Sequence, residues 1–261
     1  MSVVNRRSAL SIWKDVIFAI FLREIRSKFN DKLGVSWSVI SPLAFILALT
    51  FMRSNVDGGT THTIPTFFFM VYGILLTQFF ITTVSSVSGA IKSNQALFAF
   101  RQVQPISAII AVAGFELLSK IFVLSIIIII AYFLRFDVSI YNPIGVIYTF
   151  FTVWILATSV GMLFAITRCY IPEIDKIRTL ILRPIFFISG AFFSLQDIPS
   201  EAWKYIVWNP VLHAVEFTRY YAYPTYGRIG ISIEYLSIAT LIFLFLALCS
   251  YHALWKSAIS R

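Results

Sequence analysis

Six apolar stretches alternate with polar breaks along the chain, at about 35–52, 65–90, 108–134, 144–167, 179–196 and 231–254. A helix needs roughly 20 mostly apolar residues to cross a bilayer. The pattern therefore predicts an all-α polytopic membrane protein with six transmembrane helices. The first four breaks read MRSNVDGGTTHT, KSNQALFAFRQVQP, RFDVSIYNP and RCYIPEIDK; the fifth begins QDIPSEAW and extends over about 197–230. No soluble domain is left over, so residues 1–261 read as a single transmembrane domain.

Ahead of the first span, Ile17, Phe18, Phe21, Leu22, Ile25 and Phe29 recur at helical spacing, with Arg23, Arg26 and Ser27 mostly on the other side. Such a helix, within about 8–33, is too polar to span and is expected in the cytoplasmic interface with its apolar face down. Gly34 permits a sharp change of direction. Trp37 suits the interface level, and Pro42 lies about a turn inside the span. Two readings stay open: a plain positive-inside anchor, or a gate at which Arg23, Arg26, Lys28, Lys32 and Trp37 meet lipid head groups.

The fifth break contains DIPSEAWKYIVWNPVLHAVEFTRYYAYPTYGR, too polar to span and too aromatic for an ordinary loop. Asn is a good N-cap and Pro a good first helical residue, while the residue before Pro disfavours helix. Asn209-Pro210 therefore predicts one helix ending near Trp208 and another beginning. Helices of about a dozen residues are ~18 Å long, short of ~30 Å of hydrocarbon. Two re-entrant helices before the last span fit, because irregular backbone at that depth must be buried in protein or line a wet cavity. On the second of them His213, Glu216 and Tyr220 share a face, and Arg219 can pair with Glu216. Either this is a structural ion pair or it recognises hydroxyl or acid groups of a ligand. A metal site would need a further His or Cys nearby, and none is there.

Composition agrees with a membrane protein: 59% hydrophobic, 13% charged against about a quarter in soluble domains, and mean hydropathy +0.84. The net charge of +9 does not call for nucleic acid. With both termini cytoplasmic, fifteen Lys and Arg fall inside and five outside, as the positive-inside rule requires. No cleavable signal peptide is evident, and Cys169 and Cys249 match no metal or redox spacing. Lys120 lies inside a span, four residues after Glu116, a favourable order for a helical pair. A packed, neutralised pair is the plainer reading; a proton relay lacks a second intramembrane carboxylate. Aromatics make up 17% of the chain. Most are expected against lipid, but Tyr72, Trp203, Trp208, Tyr220 and Tyr223 are candidates to guide the apolar faces of a transported ligand. There is no G-x-x-x-x-G-K-[ST], G-x-S-x-G or H-E-x-x-H, so the chain is expected to be neither ATPase nor hydrolase. Uphill transport would draw on a partner or an ion gradient.

Arg23-Glu24-Ile25-Arg26, Leu33-Gly34-Val35-Ser36-Trp37 and Pro42 follow one another in the order found in ABC-2 type transporter permeases. The chain resembles, more narrowly, those that export capsular polysaccharide or O-antigen from Gram-negative bacteria. The resemblance covers its length, its six spans and the segment before the last span. It implies a multi-pass subunit of the bacterial inner membrane that exports a lipid-linked polysaccharide. The implied partners are a second copy of itself, two copies of an ATP-binding cassette ATPase that holds the ATP and Mg, and periplasmic or outer-membrane export proteins. No cofactor is implied in this chain. The loop 91–105, where Gln95, Leu97, Phe98 and Arg101 fall in a short helix, becomes the coupling helix that docks on the ATPase. Two alternatives remain: an ABC-2 exporter of a drug or small lipophile, favoured by a closed apolar pocket, and, from another class, an ion-coupled transporter or membrane enzyme. The last needs intramembrane acids, and Glu116 alone answers.

Overall fold

The computed structural model describes residues 8–29, 32–100, 102–133, 135–136 and 140–259, with the backbone alone at 9, 29, 32–39 and 257–259. Eight α-helices carry the described residues: α1 (Ala9–Phe29), α2 (Lys32–Asp57), α3 (Thr66–Ser93), α4 (Pro105–Phe133), α5 (Pro143–Tyr170), α6 (Ile174–Ile188), α7 (Pro210–Ala222) and α8 (Ile233–Ile259). A minimal antiparallel hairpin, β1 (Thr60–Thr61) and β2 (Ile64–Pro65), links α2 to α3, a small departure from an all-α chain.

Among the described residues, four helices are long and apolar enough to cross a membrane: α3, α4, α5 and α8. They coincide with the expected spans at 65–90, 108–134, 144–167 and 231–254 to within a few residues. α2 contains the expected first span. The apolar run at 179–196 is divided differently: α6 has 15 residues, or roughly 22 Å. It begins in the charged stretch at Ile174, and its helix stops at Ser189, before Gly190 takes a positive φ of 72°.

Proline and asparagine set the helix starts. Asn142 Oδ1 accepts from Gly145 N at 3.0 Å ahead of Pro143, and Asn209 Oδ1 accepts from Val211 N at 3.0 Å ahead of Pro210. The first of the two expected re-entrant helices is not an α-helix. It is a six-residue 3-10 turn, Ser200–Tyr205. Pro199 starts it, and the Trp203 indole N–H donates to the carbonyls of Leu195 (3.1 Å) and Ile198 (2.9 Å), folding it onto the preceding turn.

α3 is the axis of the molecule. Eighteen of its 28 residues are buried, chiefly against α5 and also against α2, α4 and α7. Gly161 lets α5 approach, since a Cβ there would lie 2.8 Å from Val87 Cβ. The core forms three clusters. One, at the α1 end, joins Ile20 of α1 to Ile109 and Val112 of α4 and Ile166 of α5. A middle one joins α3, α5, α7 and α8. The third, at the α7 end, joins Ile64 and Phe67–Val71 to Ile127, Ala191 and Tyr226. α1 thus spends part of its apolar face on α4, while Phe18 and Leu22 stay exposed.

Candidate functional site

At the α1 end, α1 is tied to the bundle by two cations. Arg23 donates to the Ser93 carbonyl at 3.1 Å, at the last turn of α3. Lys28 reaches Glu116 Oε1 at 3.0 Å and lies 4.8 Å from the centre of the Phe115 ring. Glu116 is 5% exposed and also accepts from Ser86 Oγ at 2.7 Å. This corrects the expected Glu116–Lys120 pair. Both residues are on α4, but the carboxylate is occupied by Lys28 and Ser86, from two other helices, and Lys120 lines the same cavity as Glu116 with no salt bridge to it among the described residues. Arg26 is exposed on α1. The side chains of Lys32 and Trp37 lie outside the described residues.

The loop after α3 forms a five-residue 3-10 helix, Gln95–Ala99. Phe98 is buried in the α1-end core, with Leu97 packed beside it, so these two fasten the helix to the bundle. Gln95 is exposed; Arg101 lies outside the described residues. Phe100, which the sequence reading passed over, is 65% exposed beside them. Its only sequence signal is the Phe-x-Phe spacing that buries one ring and presents the other.

At the α7 end the polar residues interlock. Every side chain from Val211 to Arg219 is buried. Arg219 donates from Nη1 to Glu216 Oε1 and to the Phe193 carbonyl, both at 3.0 Å, and from Nη2 to the Phe69 carbonyl at 3.2 Å. Tyr226 O–H donates to Glu216 Oε2 at 2.7 Å and lies 2.5 Å from Ser194 Oγ. Gly73 leaves the room: a Cβ there would meet both Arg219 Nη2 and the Ala191 carbonyl at 2.5 Å. His213 accepts at Nδ1 from Ser232 N (3.1 Å), which leaves Nε2–H to donate to the Val207 carbonyl (2.7 Å). The hydrogen bonds of Glu216, Arg219 and His213 described above all go to the protein itself, while Arg219 Nε is buried without a hydrogen-bond partner.

The chain of bonds continues outward through residues that sequence reasoning did not single out. Arg53 contacts Asp57 at 2.7 Å, Asp197 at 3.2 Å and the Phe192 carbonyl at 2.6 Å. His62 Nε2 lies 2.6 Å from Asp197 Oδ1. The Thr61 hydroxyl, then Arg53, hold the Asp57 carboxyl below its ordinary value. Burial pushes Asp197 up, but the Ser194 N–H, His62 and Arg53 outweigh it and leave it lowered. The i, i+4 spacing of Arg53 and Asp57 was visible; Asp197, 140 residues further on, was not.

Of the aromatic candidates, Trp208 is exposed, and Trp203 is a clamp by its two hydrogen bonds. Tyr220 and Tyr223 pack on the α7-end core. Tyr72 sits mid-molecule, in a crevice shared with Lys120 and Thr218. The arrangement contains cations, hydroxyls and aromatic walls, and no group of His, Cys, Asp and Glu able to hold a metal among the described residues.

The sequence profile of the ABC-2 type transporter family matches residues 15–223. The chain is 35% identical to the polysialic acid transport protein KpsM of Escherichia coli over 247 residues, 94% of this chain and 95% of that protein. It is 23% identical to the capsule polysaccharide export inner-membrane protein BexB of Haemophilus influenzae over 223 residues, 82% of this chain and 81% of that one. It is also 23% identical to the capsule polysaccharide export inner-membrane protein CtrC of Neisseria meningitidis serogroup B over 220 residues, 81% and 80% of the two chains.

Proposed function

The chain belongs to the ABC-2 type transporter family, and on that footing we propose that it is the permease subunit of an ATP-driven exporter that moves a lipid-linked capsular polysaccharide across the bacterial inner membrane. The observation that carries this is the likeness to a capsule-polymer transporter over 94% of the chain. The permease performs no covalent chemistry itself. Two ATPase subunits bind ATP and Mg, two copies of this chain form the path, and periplasmic or outer-membrane proteins receive the polymer.

In this reading α2 and the α6 region complete six spans, both termini are cytoplasmic, and the residues from Ser194 to Tyr226 form the re-entrant plug on the outer side. The charge distribution supports that orientation, since the basic α1 end then faces anionic head groups. Arg23, Arg26, Lys28, Lys32 and Trp37 receive the lipid head. Gln95, Leu97 and Arg101, with Phe100 added and Phe98 as their anchor, meet the ATPase. Tyr72, Trp208, Tyr220 and Tyr223 guide the polymer, and Glu216, Arg219, His213 and Trp203 hold the plug in shape.

The small-lipophile alternative wants a closed apolar pocket; the cavity of about 750 Å³ beside α1 instead carries Lys28, Glu116 and Lys120. The test is to purify the chain from native membranes in mild detergent and to delete its gene. The reading requires a stoichiometric P-loop ATPase in the preparation, and lipid-linked polymer stranded inside the deleted cells. Unchanged surface polysaccharide with no stranded polymer would overturn it.

A further inference from the structure

A cavity of about 750 Å³ lies between α1, α2, α3 and α4. One wall is apolar, with Phe21, Ile25, Pro42, Phe115 and Phe122. α3 contributes the polar side chains Gln78, Thr82, Ser85 and Ser86 to the lining. Three charges stand in it, Lys28, Glu116 and Lys120. A second basin of about 420 Å³, with Glu24, Lys92 and Arg168, adjoins it, and the two share Lys28, Ser85 and Ser86. On its other side Lys120 also borders the narrow crevice that holds Tyr72. Cations therefore succeed one another along α3: Lys92 and Arg168 at the α1 end, Lys28 at the junction, Lys120 beyond it.

The charges are not balanced inside the cavity. Among its described lining residues the one carboxylate, Glu116, has Lys28 at 3.0 Å. Lys120, one helical turn away, has no carboxylate at bonding distance among the described residues. An ammonium group at this depth is costly without an anionic partner or water. The walls specify that partner further. Two ammonium groups and several hydroxyls suit an oxyanion with several acceptor oxygens, which makes stronger charge-assisted bonds than a neutral head group. The aromatic and aliphatic wall suits an acyl chain attached to it.

We propose that this cavity binds the phosphate head of the lipid that carries the polymer, between Lys28 and Lys120, and that Glu116 holds Lys28 in the empty site and yields it to the incoming phosphate. The inference rests on the polysaccharide-export reading and adds a place beyond the entry helix where the lipid head pauses. In the empty site Lys28 pins α1 to α4 through Glu116. In the filled site the phosphate takes that ammonium, Glu116 keeps Ser86, and α1 is no longer tied to α4 at this point.

The full chain, purified in mild detergent, can be titrated by native mass spectrometry with dioctanoyl phosphatidic acid, dioctanoylglycerol and inorganic phosphate. The expected result is binding of phosphatidic acid in preference to the other two. Losing one charge-assisted contact is worth roughly tenfold in affinity, so Lys120→Gln should weaken that binding by about this factor while Lys120→Arg retains it. Glu116→Gln, which releases Lys28, should tighten it. Equal binding of dioctanoylglycerol would reduce the cavity to an acyl pocket, and equal binding of inorganic phosphate would make it a site for the free ion; either overturns the proposal. So does unchanged affinity in Lys120→Gln, which would leave the phosphate to α1 alone. These outcomes leave the export reading standing if the deletion still strands polymer. Unchanged surface polysaccharide sinks the export reading whatever the titration gives.

Discussion

The guanidinium carbon of Arg219 lies 3.5 Å from the centre of the Phe69 ring, and the same side chain donates to the Phe69 carbonyl at 3.2 Å. One residue of α7 thus holds both the ring and the backbone of one residue of α3, 150 positions earlier. The ring supplies its negative face and the carbonyl its lone pair, and together with Glu216 they compensate a charge that is fully buried.

Replacing Arg219 by Met should therefore strand the Glu216 carboxylate. Breaking a buried pair from one side costs about 3–5 kcal/mol, so the variant should show a large loss in thermal stability in detergent. Glu216→Gln combined with Arg219→Met should recover part of it. A single variant as stable as the parent would show that the pair contributes little.

Gly73→Ala should be nearly as damaging, because its methyl group would meet a backbone oxygen and Arg219 Nη2 at 2.5 Å. Gly114→Ala is the control. It lies in α4 with nothing within 4 Å of the added carbon, and a helical Gly→Ala change in open space stabilises by about 0.5–1 kcal/mol. Comparing folded yields of the two variants by size-exclusion profile checks the expectation.

Acid should loosen the α7 end first. Asp57 and Asp197 both titrate below their ordinary 3.8. The stability they contribute is fully present above that value and lost as the pH falls through the lower folded pKa values. Hydrogen exchange of the β1–β2 hairpin, corrected for intrinsic rate, should be flat from neutrality down to about pH 4 and rise below it. Asp197→Asn should raise exchange already at neutral pH.

Phe98 and Phe100 should separate cleanly. Phe98→Ala opens a cavity in the core and should cost about 3–5 kcal/mol. Phe100→Ala removes an exposed ring and should leave stability unchanged. In the proposed complex it should reduce export and the coupling of ATP hydrolysis to the permease. Normal export by Phe100→Ala would remove the ring from the docking surface.

Hydropathy located the long helices because composition within about 20 residues decides whether a segment suits lipid. Asn142-Pro143 and Asn209-Pro210 marked helix starts for a similarly local reason, since cap and first turn are adjacent in sequence. What escaped was non-local. Glu116 looked like the natural partner of Lys120 on its own helix, yet the preferred cation came from Lys28, 88 residues away. Nothing near Asp197 in the sequence marked it as the partner of Arg53 and His62. The first of the two expected re-entrant helices had the right punctuation, yet the segment forms a six-residue 3-10 turn with Trp203 hydrogen-bonded back to Leu195.

The ties of α7 have a mechanical consequence. His213 fastens its first turn to Ser232, just ahead of α8, and Arg219 fastens its last turn to Phe69 on α3. With a rivet at each end, α7 has no pivot of its own and behaves as a crossbar. A displacement of α3 at this end should reach the head of α8 through these two contacts. Any widening of this end of the molecule therefore moves the frame as one piece, and the crossbar travels with it.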